Sequence, residues 1–356
     1  MRLKPRCFPI FVAGQSVGLM DQKDVFFKLT VGNILRAKSY AKCAVSNGLT
    51  DYLIGTGGWA YFHMPGLRSL TAYSRLFNFV EVNSTFYQIP NLKTVESWRR
   101  QVQPDFEFSV RCNKDLTHKF QFQPAEEAFK ILREMTVICE TLKAEILHMQ
   151  TPPSFQPTKE NARSLDSFIS SADLKNVRIA LEVRGSNQAL PADFIRVMQD
   201  YNMIHSIDLS NDEEPAYNSD VLYTRLFGKG THNIYQPTDQ ELRKIDDRAS
   251  SGTHKKAIVS FHFVRMYQDA RRLKLYKETS KFPTITRSTG LISLMDVLKE
   301  DAQFPSSRQE LIEHQGWKLF DLTSDNRIRA SEMIQKLPER TYENADDVAE
   351  TLRRPM

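Results

Sequence analysis

Two stretches of sequence decide the fold of this chain: FVEVN at residues 79–83 and RIALEVR at residues 178–184. In both stretches apolar residues alternate with others, and a glutamate stands near the end of the run. Alternate side chains of a β-strand point to opposite faces of the sheet. If helices cover the apolar face, Glu81 and Glu182 point to the axis of a barrel, close to the carboxyl ends of its strands.

Eight such strands follow one another from residue 52. Segments with helical periodicity separate them, which is typical of a parallel α/β protein. Eight strands favour a closed barrel over an open doubly wound sheet, and GTGGW at residues 55–59 lacks the GxGxxG pattern of such sheets. The predicted fold is therefore an α/β protein with a TIM-type (β/α)8 barrel and a small C-terminal α+β accessory module. The predicted strands are Tyr52–Gly57, Phe79–Asn83, Glu107–Arg111, Glu145–Gln150, Arg178–Arg184, Met203–Asp208, Val221–Phe227 and Ala257–Phe263.

The helices between these strands complete the predicted barrel. No clear helix fits between residues 208 and 221, so we expect one irregular crossover. The predicted helices are Leu70–Phe77, Val95–Gln101, Ala125–Leu142, Asn161–Ser171, Ala192–Tyr201 and Asp239–Arg248.

The chain divides into three predicted parts. Residues 1–51 form a peripheral or disordered extension, residues 52–282 form the barrel, and residues 283–356 form the C-terminal module. In the module, Ser307 and Glu310 have the spacing of a capping box before a helix. We expect this module to pack on the barrel, because ~75 residues are few for independent stability, and to contribute no catalytic group. Deletion of the residues after Phe282 should therefore lower solubility or stability while leaving ligand binding at the mouth nearly intact.

The charge of the chain is unevenly distributed. The net charge of +5 consists of +6 in residues 1–50, +2 in residues 51–282 and −3 in residues 283–356. The barrel therefore lacks the strong positive bias of a protein held to nucleic acid by phosphate contacts. The acidic module argues against a DNA-reading winged helix and favours recruitment of a protein partner.

The composition also indicates the cellular compartment in which the protein is expected. The four cysteines form no CxxC pair, so neither a zinc ribbon nor a disulfide framework is indicated. No apolar run reaches the ~18 residues that span a bilayer, so no membrane partner is expected. We expect a soluble protein of the cytoplasm.

Strand alternation brings polar side chains from nearly every strand to one mouth of the barrel. A buried carboxylate is costly unless it is paired, so any one of these residues could belong to a structural ion pair. Three carboxylates and three arginines converging together favour an enzyme or a ligand-binding site. The side chains predicted to face the mouth are Glu81, Asn83, Arg111, His148, Gln150, Glu182, Arg184, Asp208, Arg225 and His262.

Several of these residues lie in motifs that resemble the domain-of-unknown-function 72 family of YecE-like barrel proteins, over roughly residues 52–282. The motifs are GTGGW at 55–59, EVNSTFY at 81–87, LTH at 116–118, QTPPSF at 150–155 and EVR at 182–184. The resemblance implies a TIM barrel and brings no established reaction. The C-terminal segment resembles an extension of archaeal members.

The chain departs from that family in two places. His262 and Phe263 stand where the family often has a pair of asparagines, and GSNQ at residues 185–188 replaces a histidine or a Ser-Trp stretch. If those groups bind substrate in the family, the activity of this chain is altered or lost.

Carboxylates beside arginines indicate an anionic substrate handled by acid–base chemistry. We assign anion binding to Arg111, Arg184 and Arg225. Glu81 and Glu182 are assigned to acid–base or metal roles, and His118 to proton transfer. The candidate catalytic residues are Glu81, His118, Glu182 and Asp208. The candidate substrate-binding residues are Thr56, Trp59, Asn83, Tyr87, Arg111, Lys114, Gln150, Arg184, Arg225 and His262.

Phosphoester hydrolysis, by a phosphodiesterase or a nuclease of the TIM-barrel type, is the first hypothesis for the reaction. It would ordinarily need a divalent metal, whose available ligands are Glu81, His148, Glu182, Asp208 and His262; the absence of an HxH, HExxH or DxD pair leaves this cofactor weakly supported. Isomerase or lyase chemistry on a sugar or sugar phosphate uses the same groups. A third hypothesis is a barrel that binds an anionic small molecule, a nucleic-acid fragment or a protein partner without catalysis.

The extension yields a first testable prediction. Residues 17–42 show no convincing amphipathic period, so limited proteolysis should remove about the first 45 residues while the barrel stays folded. Mass spectrometry of the fragment and its thermal unfolding curve provide the measurement. A chain that resists cleavage in this segment would contradict the prediction.

Overall fold

The computed structural model describes residues 50–184 and 189–353. Nearly all of the predicted extension, and the sequence departure at residues 185–188, lie outside the described residues.

Eight parallel strands form the barrel. They are hydrogen-bonded in the order β6-β5-β4-β3-β2-β1-β8-β7. A parallel bridge between Ile207 and Thr224 joins the two ends, where the Arg225 N–H donates to the Ile207 carbonyl oxygen at 2.9 Å. The predicted TIM-type barrel is therefore confirmed. The strands are β1 (Asp51–Thr56), β2 (Phe79–Val82), β3 (Glu107–Arg111), β4 (Ile146–Gln150), β5 (Arg178–Glu182), β6 (Ile204–His205), β7 (Val221–Leu226) and β8 (Lys256–Phe261).

Helices cover the outside of the barrel. The crossover from β6 to β7 contains only a 3-10 turn at Leu209–Asn211, which agrees with the predicted irregular connection. The helix that follows β8 was not predicted, because its buried face carries Asp269 and Arg272 beside its apolar residues. In the described residues no helix combines the length and the apolar character that a membrane crossing requires. The helices are α1 (Ser69–Tyr73), α2 (Leu92–Arg100), α3 (Glu126–Leu142), α4 (Lys159–Ser170), α5 (Ala192–Asp200), α6 (Asp239–Ser250) and α7 (Met266–Thr279).

Two apolar layers follow from the strand alternation. Outward residues such as Val80, Leu147 and Leu181 pack against the helices in the main core. Inward residues at the amino-terminal half of the barrel fill the axis: Leu53, Phe79, Ile146, Ala180, Ile204, Tyr223 and Ile258. Polar side chains on the axis are thereby concentrated in the upper half, at the carboxyl ends of the strands.

A C-terminal module with its own buried core follows the barrel. The capping box predicted at Ser307 and Glu310 is present, with both reciprocal hydrogen bonds formed. The elements of the module are α8 (Gly290–Asp301), β9 (Ser306–Ser307), α9 (Arg308–Gln315), β10 (Leu319–Asp321), β11 (Arg327–Arg329), α10 (Ala330–Ile334), β12 (Thr341–Tyr342) and α11 (Ala345–Arg353).

Buried ion pairs hold the module to the barrel. Arg327 on β11 reaches Asp239 at the start of α6, with Nη1 2.6 Å from Oδ2, and its Nε lies 3.1 Å from Oδ1 of Asp321. Its side chain is 2% exposed. Arg272 on α7 pairs with the other oxygen of Asp239 at 2.7 Å. A single aspartate of the barrel therefore accepts arginines from both parts of the chain.

Removing the Arg327 guanidinium tests how much this contact contributes to the free energy of unfolding. Arg327→Met should lower the free energy of unfolding by about 3 kcal/mol or more, because it leaves the buried carboxylate of Asp321 without its counter-ion and removes one of the two arginines of Asp239. Arg340→Met is the matched control: Arg340 lies in the same module and pairs with Asp347, but its side chain is 42% exposed. That change should cost at most about 1 kcal/mol. Urea unfolding measures both, and equal losses would contradict the prediction.

Candidate functional site

Arg225, at the end of β7, occupies the centre of the barrel mouth. Its Nε and Nη2 each lie 3.0 Å from a carboxylate oxygen of Glu81, giving a two-pronged ion pair. Its Nη1 donates to Glu182 at 2.6 Å and to the side-chain oxygen of Gln150 at 2.9 Å. One guanidinium group thus ties together β2, β4, β5 and β7 across the barrel axis.

Glu81 is fully buried and ionised. Its Oε2 also accepts a hydrogen bond at 2.8 Å from the hydroxyl of Tyr223, which is bonded in turn to the hydroxyl of Ser109. Burial alone would raise the pKa of Glu81, but the charge of Arg225, with smaller effects of His262 and His148, holds it far below its usual range. Glu81 is therefore a fixed anion of the barrel interior.

Glu182 is likewise ionised, but it faces the opening of the mouth. Its Oε2 contacts Arg225, and its Oε1 accepts a hydrogen bond from Nε of Arg184 at 2.5 Å. Its side chain is 13% exposed and that of Arg184 is 36% exposed. Burial opposes ionisation, yet Arg225 and the neighbouring His148 hold the pKa of Glu182 well below its usual range.

Arg111, at the end of β3, forms a second cationic position beside the first. It donates to the side-chain oxygen of Asn83 at 2.6 Å and to that of Gln150 at 2.7 Å. Its guanidinium lies over the ring of Phe86, 3.6 Å from the centroid. Burial and the charge of Arg225 lower the pKa of Arg111 to about 10, so it remains charged at neutral pH.

Two buried histidines line the same space. His148 stacks on Tyr223 and lies 3.3 Å from Glu182, although within the described residues neither ring nitrogen has an aligned hydrogen-bond partner. His262 stacks on Phe227 with ring centroids 4.7 Å apart. Burial first, and then the charge of Arg225, lowers the pKa of both imidazoles. Both rings are therefore neutral at pH 7.

His118 stands at the rim, on a π-helical turn at Asp115–Phe120. Its ring packs edge-on against Phe86, and its Nδ1 lies 2.8 Å from the Thr117 hydroxyl. Burial and then the charges of Arg111, Arg184 and Lys114 lower the pKa of His118. The imidazole is thus a neutral, half-buried group among cations.

The structure brings most of the predicted site residues together, but not all of them. Thr56 lies on the helix-facing side of β1, where its hydroxyl donates to the Gly58 carbonyl oxygen at 2.7 Å and to the Tyr73 hydroxyl at 3.1 Å. Trp59 packs edge-on against Trp98 of α2. Tyr87 and Lys114 are exposed on the loops around the mouth.

Asp208 organises a loop in the structure. Its carboxylate accepts hydrogen bonds from the backbone N–H of Ser210 at 2.8 Å, the side chain of Asn211 at 2.8 Å and the backbone N–H of Phe227 at 3.0 Å. Burial raises its pKa. These contacts fix the end of β6 against the end of β7.

The donors named for a divalent metal do not form a metal site in this arrangement. Across the described residues, no three His, Cys, Asp or Glu side chains are grouped so as to hold an ion. The guanidinium of Arg225 lies between Glu81 and Glu182 and is bonded to both, so these carboxylates do not fit a shared metal.

Residues 53–282 match the family model described as "Protein of unknown function DUF72". The chain belongs to this family. The predicted resemblance is confirmed, and the charged mouth described above lies within the matched DUF72 segment. The match ends before the C-terminal module, whose likeness to archaeal members stays a prediction.

Two curated relatives are similar in sequence to this chain over part of their length. The UPF0759 protein YecE of Escherichia coli (strain K12) is 30% identical over 107 residues, which are 29% of this DUF72 chain and 39% of YecE. The UPF0759 protein YunF of Bacillus subtilis (strain 168) is 27% identical over 168 residues, or 43% of this chain and 59% of YunF. The chain spans less than two thirds of the length of either relative.

Solved structures support the fold. DUF72 family proteins of Thermotoga maritima MSB8 and Enterococcus faecalis V583 are each 18% identical to this chain, with TM-scores of 0.52 and 0.51. The alignments cover 64% and 66% of this chain and 99% of each of those chains.

Aromatic rings lie against the arginines of the DUF72 mouth, and of these rings sequence reasoning missed Phe227. Phe86 lies beneath Arg111, and Phe227 lies 4.9 Å from the guanidinium of Arg184 and 5.0 Å from that of Arg225. For Phe227 a signal existed, because strand alternation from Tyr223 and Arg225 points it to the axis. Phe86 lies on a 3-10 turn beyond β2, where strand alternation no longer applies.

The ion pair at the centre predicts a pH-dependent stability. Glu81→Gln should lower the free energy of unfolding at pH 7 by about 3 kcal/mol, because Arg225 loses a buried counter-ion. The folded pKa of Glu81 is lowered, so its contribution is complete above the unfolded value of ~4.3 and declines as the pH falls below it. Urea unfolding at pH 7 and pH 3.5 should therefore show a smaller difference between wild type and variant in acid. A difference independent of pH would contradict the assignment.

Proposed function

We propose that the barrel mouth binds a small phosphorylated substrate between Arg111 and Arg184 and that His118 transfers a proton in its hydrolysis. The observation that carries this proposal is the charge of the cluster. Arg184 and Arg225 pair with the carboxylates of Glu81 and Glu182, whereas Arg111 is bonded to the neutral side chains of Asn83 and Gln150. With the two buried imidazoles neutral, one positive charge is left over among these groups; the nearby carboxylates of Asp208 and Glu213 accept backbone N–H groups instead.

An excess charge in a mostly buried cluster is costly unless a counter-ion completes it. Arg225 already uses its nitrogens on Glu81, Glu182 and Gln150. Arg111 and Arg184 are the cations nearer the opening, and each guanidinium lies over an aromatic ring. Planar forks held in this way suit phosphate or carboxylate oxygens.

His118 is the group we assign to proton transfer. The Thr117 hydroxyl donates to the Lys114 carbonyl oxygen at 3.5 Å, so it can accept from Nδ1–H of His118. That tautomer leaves the lone pair on Nε2 of His118. A neutral imidazole whose pKa is lowered by neighbouring arginines can accept a proton from water beside a bound anion.

The glutamates take an orienting role in this proposal. A carboxylate whose pKa lies well below its usual range neither donates a proton at pH 7 nor accepts one readily. Glu182 instead holds Arg184 and Arg225 in place through its two oxygens. This differs from the acid–base roles expected from sequence for Glu81 and Glu182.

Isomerase or lyase chemistry on a sugar phosphate is the second candidate. One observation favours it: the mouth contains a second neutral imidazole, that of His262, which is 9% exposed. Two imidazoles can serve as the base and the acid of a proton shift along a carbon chain. The products distinguish the candidates, since only hydrolysis releases inorganic phosphate or separates an ester bond.

Anion binding can be tested without knowledge of the substrate. Arg184→Gln should weaken binding of inorganic phosphate, measured by isothermal titration calorimetry, by about tenfold or more, since a charged hydrogen bond contributes ~1.5–3 kcal/mol. Arg196→Gln removes the same charge from α5, where the side chain is 70% exposed, and should leave the affinity unchanged. Equal effects of the two substitutions, or no phosphate binding by wild type, would refute the anion site.

Turnover is tested with a panel of phosphate mono- and diesters and sugar phosphates followed by phosphorus NMR. His118→Gln should reduce the rate by about 10²- to 10⁴-fold, as expected for loss of a general base. Glu182→Gln should abolish activity while the melting temperature stays within a few degrees, because the two-pronged pair of Arg225 with Glu81 remains and Glu182, unlike Glu81, is partly exposed. Phosphate binding without turnover on any substrate would favour a non-catalytic barrel, and steeply salt-dependent affinity for DNA or RNA would favour a nuclease.

A further inference from the structure

The C-terminal module contacts the barrel at the loop between β7 and α6, residues 227–238, here called the β7 loop. Gln236 of this loop is completely buried, and its side-chain oxygen accepts a hydrogen bond at 2.8 Å from the backbone N–H of Leu319 on β10. Arg329 on β11 places its guanidinium 5.0 Å from the centre of the Tyr235 ring. It also lies 3.7 Å from Glu241, the capping residue of α6.

The packing continues from Tyr235 to the end of β7. Gly228 has a φ of +77°, and a Cβ at this position would lie 2.6 Å from Cδ1 of Tyr235 and 2.8 Å from Cε1 of Phe263. The Tyr235 ring therefore lies directly against the backbone of Gly228. Because no side chain fits between them, a displacement of Tyr235 changes the position that Gly228 can take.

Gly228 follows Phe227, the aromatic residue that supports the mouth. Phe227 stacks on His262 with an angle of 25° between the rings. It also lies against the guanidinium groups of Arg184 and Arg225. The contacts from Arg329 to the mouth are thus continuous.

The opposite side of the β7 end is held by the barrel itself. The Asp208 carboxylate accepts a hydrogen bond from the backbone N–H of Phe227. The Ser210 hydroxyl oxygen accepts one from the backbone N–H of Gly228 at 2.9 Å. Hydrogen bonds on this side fix the backbone of the strand end, while the module fixes the loop that leaves it.

We infer that the C-terminal module positions the mouth: Arg329, acting through Tyr235 and Gly228, sets the place of Phe227 and hence of His262 and Arg184. The part of this inference that concerns Arg184 rests on the proposed anion site. The module contributes no group to the chemistry. Its deletion, however, should weaken binding at the mouth, contrary to the expectation from sequence that binding would stay nearly intact.

Arg329→Met tests the inference, because methionine keeps an apolar stem and removes the guanidinium over Tyr235. Arg340→Met is the matched control, since Arg340 lies over a tyrosine of the same module, 4.1 Å from the ring of Tyr342, and donates its hydrogen bonds to Thr341, Asp347 and Thr351 of the module itself. The imidazole proton resonances of His262 report on its stacking with Phe227. They are assigned by their absence from the spectrum of His262→Gln, and inorganic phosphate affinity is measured on the same full-length samples.

We expect Arg329→Met to shift the His262 resonances downfield, as the ring current of Phe227 is lost, and to weaken phosphate binding about threefold or more. Arg340→Met should do neither. If the His262 resonances do not move in Arg329→Met, the inference is overturned. This holds whether or not the module remains folded, and the indole signal of Trp317 reports on its folding. Gly228→Ala, which forces Tyr235 aside from the barrel side, should move the same resonances and provides a second, independent variant.

The two proposals fail separately. If wild type does not bind phosphate, the proposed function is wrong, and the His262 resonances alone decide whether the module positions the mouth. If phosphate binds and Arg329→Met leaves both measurements unchanged, the anion site stands and the positioning role is wrong.

Discussion

The burial of the Arg225 guanidinium is the constraint on which the mouth depends. A charged group that is 1% exposed is tolerated only when its counter-ions and hydrogen-bond partners are complete. Glu81 and Glu182 supply those counter-ions from strands on other sides of the barrel, and Gln150 supplies a further acceptor. The apolar layer beneath excludes water from this cluster, which strengthens each of its interactions. The positions of four strand ends are therefore fixed by one side chain.

Much of this arrangement could be predicted from strand alternation alone. The parity of the runs correctly placed Glu81, Glu182 and Arg225 on the axis, because a two-residue period does not depend on what the neighbouring strands carry. The same rule points Gly55 and Gly57 at the end of β1 inward and Thr56 outward. Thr56 was therefore predicted as a substrate-binding residue from its motif, although strand alternation disagrees. Which carboxylate pairs with which arginine could not be predicted, since that depends on the register between strands distant in sequence.

The periodicity of apolar residues in the sequence does not predict features that depend on loops or on pairs of buried charges. Helix α7 buries Asp269 and Arg272, so the residues of its buried face do not form a continuous apolar pattern in the sequence. Arg272 pairs with both Asp269 and Asp239. Burial nevertheless raises the pKa of Asp269 to about 6. The contact between the module and the β7 loop also escapes sequence analysis, because an arginine over a tyrosine leaves no periodic signal.

The pairing that allows the charges to be buried also limits what they can do chemically. Glu81 and Glu182 are held ionised by Arg225, so a proton cannot be stored on either of them near pH 7. Burial, together with the charge of the same guanidinium, keeps His148 and His262 neutral. A fixed set of charges of this kind orients a ligand, and proton transfer is left to groups outside the central ion pairs. In the proposed function, His118 at the rim, which is half-buried and bonded to a hydroxyl, is the residue that transfers the proton beside the bound anion.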